Sequence, residues 1–112
     1  MALEIHFADS EITDIHKKDQ TLEIVIRQVV DADGKETTRD LGTVVITIDK
    51  PSYKSLPKKG RLSDGELYGI PGKALNGRVP VEFSYKGDCE LTLADEKNEF
   101  EIKGKGIFVR RS

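Results

Sequence analysis

The sequence predicts an all-β domain, an antiparallel sandwich of about eight or nine short strands, with a small closed β-barrel as the alternative. Turn signals recur every 8–12 residues or so, and no segment keeps a 3.6-residue apolar period. Four segments alternate apolar and polar residues, so each buries one face and exposes the other. Their predicted inward positions are Leu22, Ile24, Ile26, Val44, Ile46, Ile48, Val79, Val81, Phe83, Tyr85, Cys89, Leu91 and Leu93.

The first half of the chain predicts four strands, at residues 2–8, 11–16, 21–30 and 37–49. Ile12 and Ile15 are three residues apart, and this break in the alternation predicts either a bulge in the second strand or a strand bent across a corner. Asp33-Gly34 is a turn signal, because glycine supplies the positive φ that a tight turn needs. Since consecutive strands usually pair, the last three strands of this half are expected to form a meander.

The second half predicts four more strands, at residues 66–70, 78–86, 89–94 and 99–111. Asn76-Gly77 favours a type I′ hairpin turn, and Gly87-Asp88 is expected to turn the chain again. In the last strand Ile102 and Ile107 have opposite parity, which predicts a bulge near the intervening glycines.

Residues 50–65 form the longest predicted connection, expected to cross from one sheet to the other. Loops of this length without regular structure are often functional, so a binding element is expected here first. The connection also holds the strongest cationic cluster, which contains no acid: Lys50, Lys54, Lys58, Lys59 and Arg61. Residues 1–49 have a net charge of −6 and residues 50–112 one of +4, an asymmetry that bears on partners and not on fold.

Length and composition predict one soluble domain, residues 1–112, without cofactors. A single cysteine excludes an internal disulfide, and the chain starts with no apolar signal segment. No apolar run approaches the roughly 20 residues of a membrane-spanning helix. We therefore expect a cytoplasmic protein. The net charge of −2 argues against general nucleic-acid binding, although Tyr53 within the cationic cluster offers one stacking surface.

Catalytic and metal-binding patterns are weak in this sequence. His6, His16 and Cys89 match no zinc spacing, and no serine lies in a Gly-x-Ser-x-Gly elbow. Cys89 shares its parity with Leu91, so it is predicted to be buried, whereas both histidines are predicted to lie on the surface. These observations predict a protein that is not an enzyme.

In length, strand rhythm and acidity the chain resembles small bacterial β-sandwich proteins, among them the immunity proteins of toxin systems. The segments that carry this resemblance are LEIHFADSEITDIHKKDQTLEIVI, LSDGELYGI and GRVPVEFSYKGDCELTL. The resemblance implies a protein that binds and neutralises a cognate toxin. It also implies that a basic toxin is blocked by an acidic face made of Asp9, Glu11, Asp14 and Asp19.

Two functions therefore stay open from the sequence. The first is a non-enzymatic protein-binding module that uses the acidic face, Tyr53 and the cationic cluster, with pairing of copies through sheet edges as a further possibility. The second is a small-ligand binder or enzyme on a closed barrel, with a mouth lined by Tyr53, Tyr68 and Tyr85. A partly polar internal cavity would favour the second, and a filled apolar interior would argue against it.

Overall fold

A computed structural model describes residues 4–28, 43–71, 75–76, 78–80 and 83–111. They form eleven strands and one 3-10 turn at Phe7–Asp9. The strands are β1 (Glu4–His6), β2 (Ser10–Lys17), β3 (Thr21–Gln28), β4 (Thr43–Asp49), β5 (Ser52–Tyr53), β6 (Gly60–Arg61), β7 (Asp64–Tyr68), β8 (Leu75–Asn76), β9 (Arg78–Pro80), β10 (Phe83–Ala94) and β11 (Glu99–Arg111).

The strands form an antiparallel sheet that curls into a half-barrel, so the predicted all-β class is confirmed. This sheet has nine strands in the order β6-β2-β3-β4-β11-β10-β7-β8, and β5 pairs with β11 beside β4. β1 pairs separately with β9. The meander of β2, β3 and β4 is confirmed, because each strand pairs with the next. The curled sheet is compatible with both the sandwich and the barrel.

The core lies on the concave side of the sheet and consists mainly of Ile, Leu and Val, as the alternation predicts. Leu22, Ile24 and Ile26 are each 0% exposed. Cys89 is buried as predicted, and His16 lies on the surface as predicted. Burying such side chains is worth roughly 1.5–3 kcal/mol each, which makes this core the main source of stability.

The predicted bulge in the second strand is confirmed. Ile12 pairs with Ile26 and Asp14 pairs with Val25, so Thr13 is the extra residue. The same shift puts Ile12 and Ile15 on one face, opposite the buried Ile26 and Ile24.

The predicted turn at Gly87-Asp88 is wrong, because β10 runs through both residues without a break. Lys86 pairs with Gly106 and Cys89 with Gly104, so two residues of β10 lie opposite Lys105 alone. The irregularity predicted near the glycines of β11 is thus present, but the extra residue lies in the partner strand. Gly87 makes this bulge possible with a φ of 143°, a conformation that side-chain-bearing residues avoid.

The connection at residues 50–65 is more regular than a loop, since it contains β5, β6 and the start of β7. It crosses between the two ends of the curled sheet. The amide of Leu62 donates to the carbonyl of Ser10, and the amide of Ser63 donates to the carbonyl of Ala94. The Asp33-Gly34 turn, the start of the strand predicted at 37–49 and the Gly77 half of the Asn76-Gly77 turn lie outside the described residues.

Candidate functional site

The segment around Ser52 is the meeting point of three concavities on the protein surface. Their volumes are about 470, 400 and 690 Å³, and Ser52 contributes to all three. Tyr53 lines the second and third, and Lys50 lines the first and third. The region lies at the start of the connection where the sequence predicts a binding element.

The first concavity is a trough that crosses four neighbouring strands, and we call it the transverse trough. One wall is a row of cross-strand partners: Tyr68 lies opposite Glu90, Glu90 opposite Lys103, and Lys103 opposite Ser52. Directly opposite residues in antiparallel strands put their side chains on the same face. This face is the outer one, because the core residues Leu91 and Ile102 alternate with the row.

The second wall contains Asp88, Lys105 and Lys50. The ammonium of Lys105 donates a hydrogen bond of 2.5 Å to Asp88, and this bond raises the pKa of Lys105. Both side chains are well exposed, so the pair adds little to stability. The effect of the hydrogen bond is local, because it pairs Lys105 with Asp88 across the bulge.

Lys50 has a backbone φ of 48°, the left-handed conformation that side-chain-bearing residues rarely adopt. Its amide donates to the carbonyl of Gln20, which fixes the corner between β4 and β5. The corner keeps the register with β11, since Gly106 pairs with Asp49 and Lys103 with Ser52. Lys50 and Lys105 both line the trough at this corner.

The floor of the trough includes Gly69, Cys89 and Gly104. A Cβ at Gly69 would lie 2.8 Å from the carbonyl oxygen of Asp88, and one at Gly104 would collide with Ile48. Burial raises the pKa of the Cys89 thiol, an effect opposed by a hydrogen bond with the backbone of Gly106. A raised pKa is the reverse of what a nucleophilic thiol needs, so Cys89 is a packing residue here.

The cationic cluster divides into two groups. Lys59 lies 3.7 Å from Asp14, Lys58 helps to lower the pKa of Asp95, and Arg61 lies across from Glu11. Lys50 and Lys54 take part in no ion pair within the described part of the chain. The second group therefore has the free charge, and it borders the concavities.

The acids of the predicted acidic face have different surroundings in the structure. Asp14 lies 3.1 Å from His16, and its pKa is lowered by the amide of Ile15, by His16 and by Lys59. Glu11 lies across from Arg61 on the neighbouring strand, whereas Asp19 lines the third concavity beside lysines. Asp9 belongs to the 3-10 turn. Much of the acidic charge thus has basic neighbours.

The three tyrosines predicted to line a single mouth lie apart. Tyr68 is 46% exposed in the trough, Tyr53 lines the other two concavities, and Tyr85 packs against the core. Sequence reasoning missed Lys103 and Lys105 as site residues. The sequence did contain a signal for these two lysines. They flank Gly104 in an alternating strand and therefore lie on the same solvent-exposed face.

A cluster of metal-ligating side chains is not found among the residues that the structure describes. Comparison with models of known protein families, with curated proteins and with solved structures finds no match to this chain. In the described ranges no helix is long and apolar enough to cross a membrane. The geometry of the site is therefore the basis for its function.

Proposed function

We propose that this protein is a non-enzymatic protein-binding module, and that it binds its partner with the concave surface around Ser52. The observation that carries the proposal is that large buried side chains pack the described part of the core, while the concavities open on the surface. Ten large side chains are almost fully buried, and they include Leu22, Ile46 and Leu91. A filled interior favours recognition at the surface over recognition of an enclosed ligand.

Electrostatics indicates which kind of partner this surface attracts. Lys50, Lys54 and Lys103 border the concavities and have no ion-pair partner in the described residues. Charges that are free before binding steer association, whereas charges already paired contribute less. An acidic partner surface is therefore favoured over the basic toxin that the resemblance implies, because Asp14 and its neighbours already face cations.

The experiment is affinity capture with the purified chain and two charge-reversed variants. Lys50→Glu with Lys103→Glu reverses two free cations at the concavities, and Lys97→Glu reverses an exposed lysine in the β10–β11 turn. The expected result is one protein that is retained by wild type and by Lys97→Glu but is lost from the double variant. Equal retention by all three chains, or by none, contradicts the proposal.

An immunity protein is the narrower form of the same proposal. In that case the captured partner is a toxin whose activity falls when the wild-type chain is added in equimolar amount. The double variant should leave the toxin active at the same concentration. If the captured partner has no toxic activity, the proposal of a protein-binding module stands and the proposal of an immunity protein fails.

A further inference from the structure

Four residues that line the transverse trough form a compact basic block. Ser52 lies across from Lys103, and Lys50 and Lys105 line the same concavity. Directly opposite side chains start about 5 Å apart, and positions two apart in one strand start about 7 Å apart. We call these four residues the lysine block.

The lysine block has more positive charge than its surroundings neutralise. Lys105 is committed to Asp88, whereas Lys50 and Lys103 form no ion pair with the described residues. Glu90 is the cross-strand neighbour of Lys103, but the two groups make no salt bridge. Two ammonium groups and the Ser52 hydroxyl thus remain available to an incoming acceptor.

The backbone at Lys50 supports a role for its side chain. A φ of 48° suits glycine or asparagine, and a lysine there is conformationally strained. The position therefore carries a long cation at a conformational cost, at the edge of a concavity. Costs of this kind concentrate at sites that bind ligands.

We propose that the lysine block holds the carboxylates of an extended acidic segment of the partner protein, which lies along the transverse trough. This inference rests on the proposed function and names the chemistry that the surface recognises. Lys50 and Lys103 each bind one carboxylate, and the Ser52 hydroxyl donates to either. Tyr68, 46% exposed at the far end of the row, packs against the next part of the segment.

The dimensions of the trough fit an extended peptide. Its wall spans four strands, and neighbouring strands are about 4.8 Å apart, so it is about 14 Å long. An extended chain rises about 3.3 Å per residue, and four residues therefore cover this length.

Lysines favour carboxylates over phosphate at this site. Two spaced ammonium groups can each bind one monoanion, whereas a single phosphate is best matched by the planar fork of arginine. No arginine is found among the described residues that line the trough, and Glu90 would repel a dianion placed beside it.

The test is a titration of the full chain, followed by NMR, with a capped peptide of glutamates and its glutamine counterpart. The expected result is binding of the glutamate peptide with shifts at Ser52, Gly69 and Gly104, and no binding of the glutamine peptide. Two exposed ion pairs of about 0.7 kcal/mol each, or about 1.4 kcal/mol together, predict that Lys50→Gln with Lys103→Gln weakens binding about tenfold. Affinity should also fall between low and physiological salt.

Lys97→Gln removes an equivalent charge from the β10–β11 turn and should leave the affinity unchanged. Lys103→Gln alone, in the middle of a regular strand, should weaken binding about threefold and guards against misfolding at the Lys50 corner. Equal binding by wild type and the double variant, absence of binding, or competition by inorganic phosphate at lower concentration than the peptide would each overturn the inference. A partner that is captured equally well after substitution of Lys50 and Lys103 would overturn the inference as well. If the glutamate peptide binds as expected but capture retains no protein, the proposed function fails while the lysine block remains an anion site.

Discussion

Lys50 shows how one residue joins backbone conformation to surface chemistry. Its left-handed φ turns β4 into β5, and its hydrogen bond to Gln20 ties that corner to the neighbouring hairpin. Pro51 follows it, and a residue before proline is already disfavoured in the right-handed helical region. The corner therefore selects its conformation locally, and the side chain is left free for the trough.

Replacing Lys50 with glycine should cost no stability. Glycine adopts a positive φ without strain, whereas alanine keeps the strain of a Cβ. We expect Lys50→Gly to be about 1 kcal/mol more stable than Lys50→Ala in urea-unfolding experiments, although both lose the cation. A Lys50→Ala variant as stable as Lys50→Gly would show that the corner is unstrained.

At the scale of elements, the hairpin of β10 and β11 positions most of the trough. Its bulge puts Gly87 and Asp88 of β10 opposite Lys105 alone, while the inward residues of β10 keep one parity on both sides of it, from Tyr85 to Cys89. Without the extra residue, every side chain on one side of the bulge would change face. The bulge thus lets one strand fill the core at both ends and still present a charged wall between them.

The charges between β2 and the connection at residues 50–65 predict a pH dependence. The pKa of Asp14 is lowered chiefly by the Ile15 amide and further by His16 and Lys59. Because the folded pKa is depressed, this carboxylate adds stability above the pKa of the unfolded chain, about 3.9, and loses it as pH falls through the folded value. Below about pH 4, Asp14→Asn should therefore lose less of its unfolding free energy than wild type does.

The measurement is urea unfolding of both chains at neutral pH and at acid pH. Asp19→Asn is the matched control, since Asp19 is an exposed acid on the same hairpin without an ion pair in the described residues. This control should keep the acid sensitivity of wild type. If the free energy of unfolding of Asp14→Asn falls at acid pH as much as that of wild type, the contacts of Asp14 add nothing to folding.

The elements were predictable where the alternation is strict. Leu22, Ile24 and Ile26 sit in a strand buried on one side, and period-two patterning captures that directly. Gly87-Asp88 was misassigned because a turn and a bulge use the same residue types, and only the partner strand distinguishes them. The trough could not be predicted from the sequence, because it depends on which strands are neighbours. Tyr68 and Ser52 line the same trough because β10 and β11 lie side by side between them.

At the scale of the whole molecule, one core cluster joins distant strands. Leu22 on β3 and Cys89 on β10 belong to the same set of buried residues, although they are far apart in the chain. Small domains with one core usually unfold in a single cooperative step. Exposure of the Cys89 thiol should therefore require opening of the whole fold.

Thiol labelling tests this cooperativity. Cys89 is 7% exposed and burial raises its pKa, so a disulfide reagent should label the native chain far more slowly than the urea-unfolded chain. Leu22→Ala leaves a cavity worth about 2–5 kcal/mol and should accelerate native labelling by roughly 30-fold or more. Unchanged labelling in that variant would mean that Cys89 opens locally, through the trough.

Pairing between β1 and β9 has a consequence for synthesis on the ribosome. Glu4–His6 precedes its partner Arg78–Pro80 by most of the chain. At about 5–20 residues per second, the ribosome delivers that partner roughly 4–15 s after the first strand has been made. For that interval β1 has no partner strand, and its backbone hydrogen-bonding groups are open to chaperones that bind extended chains.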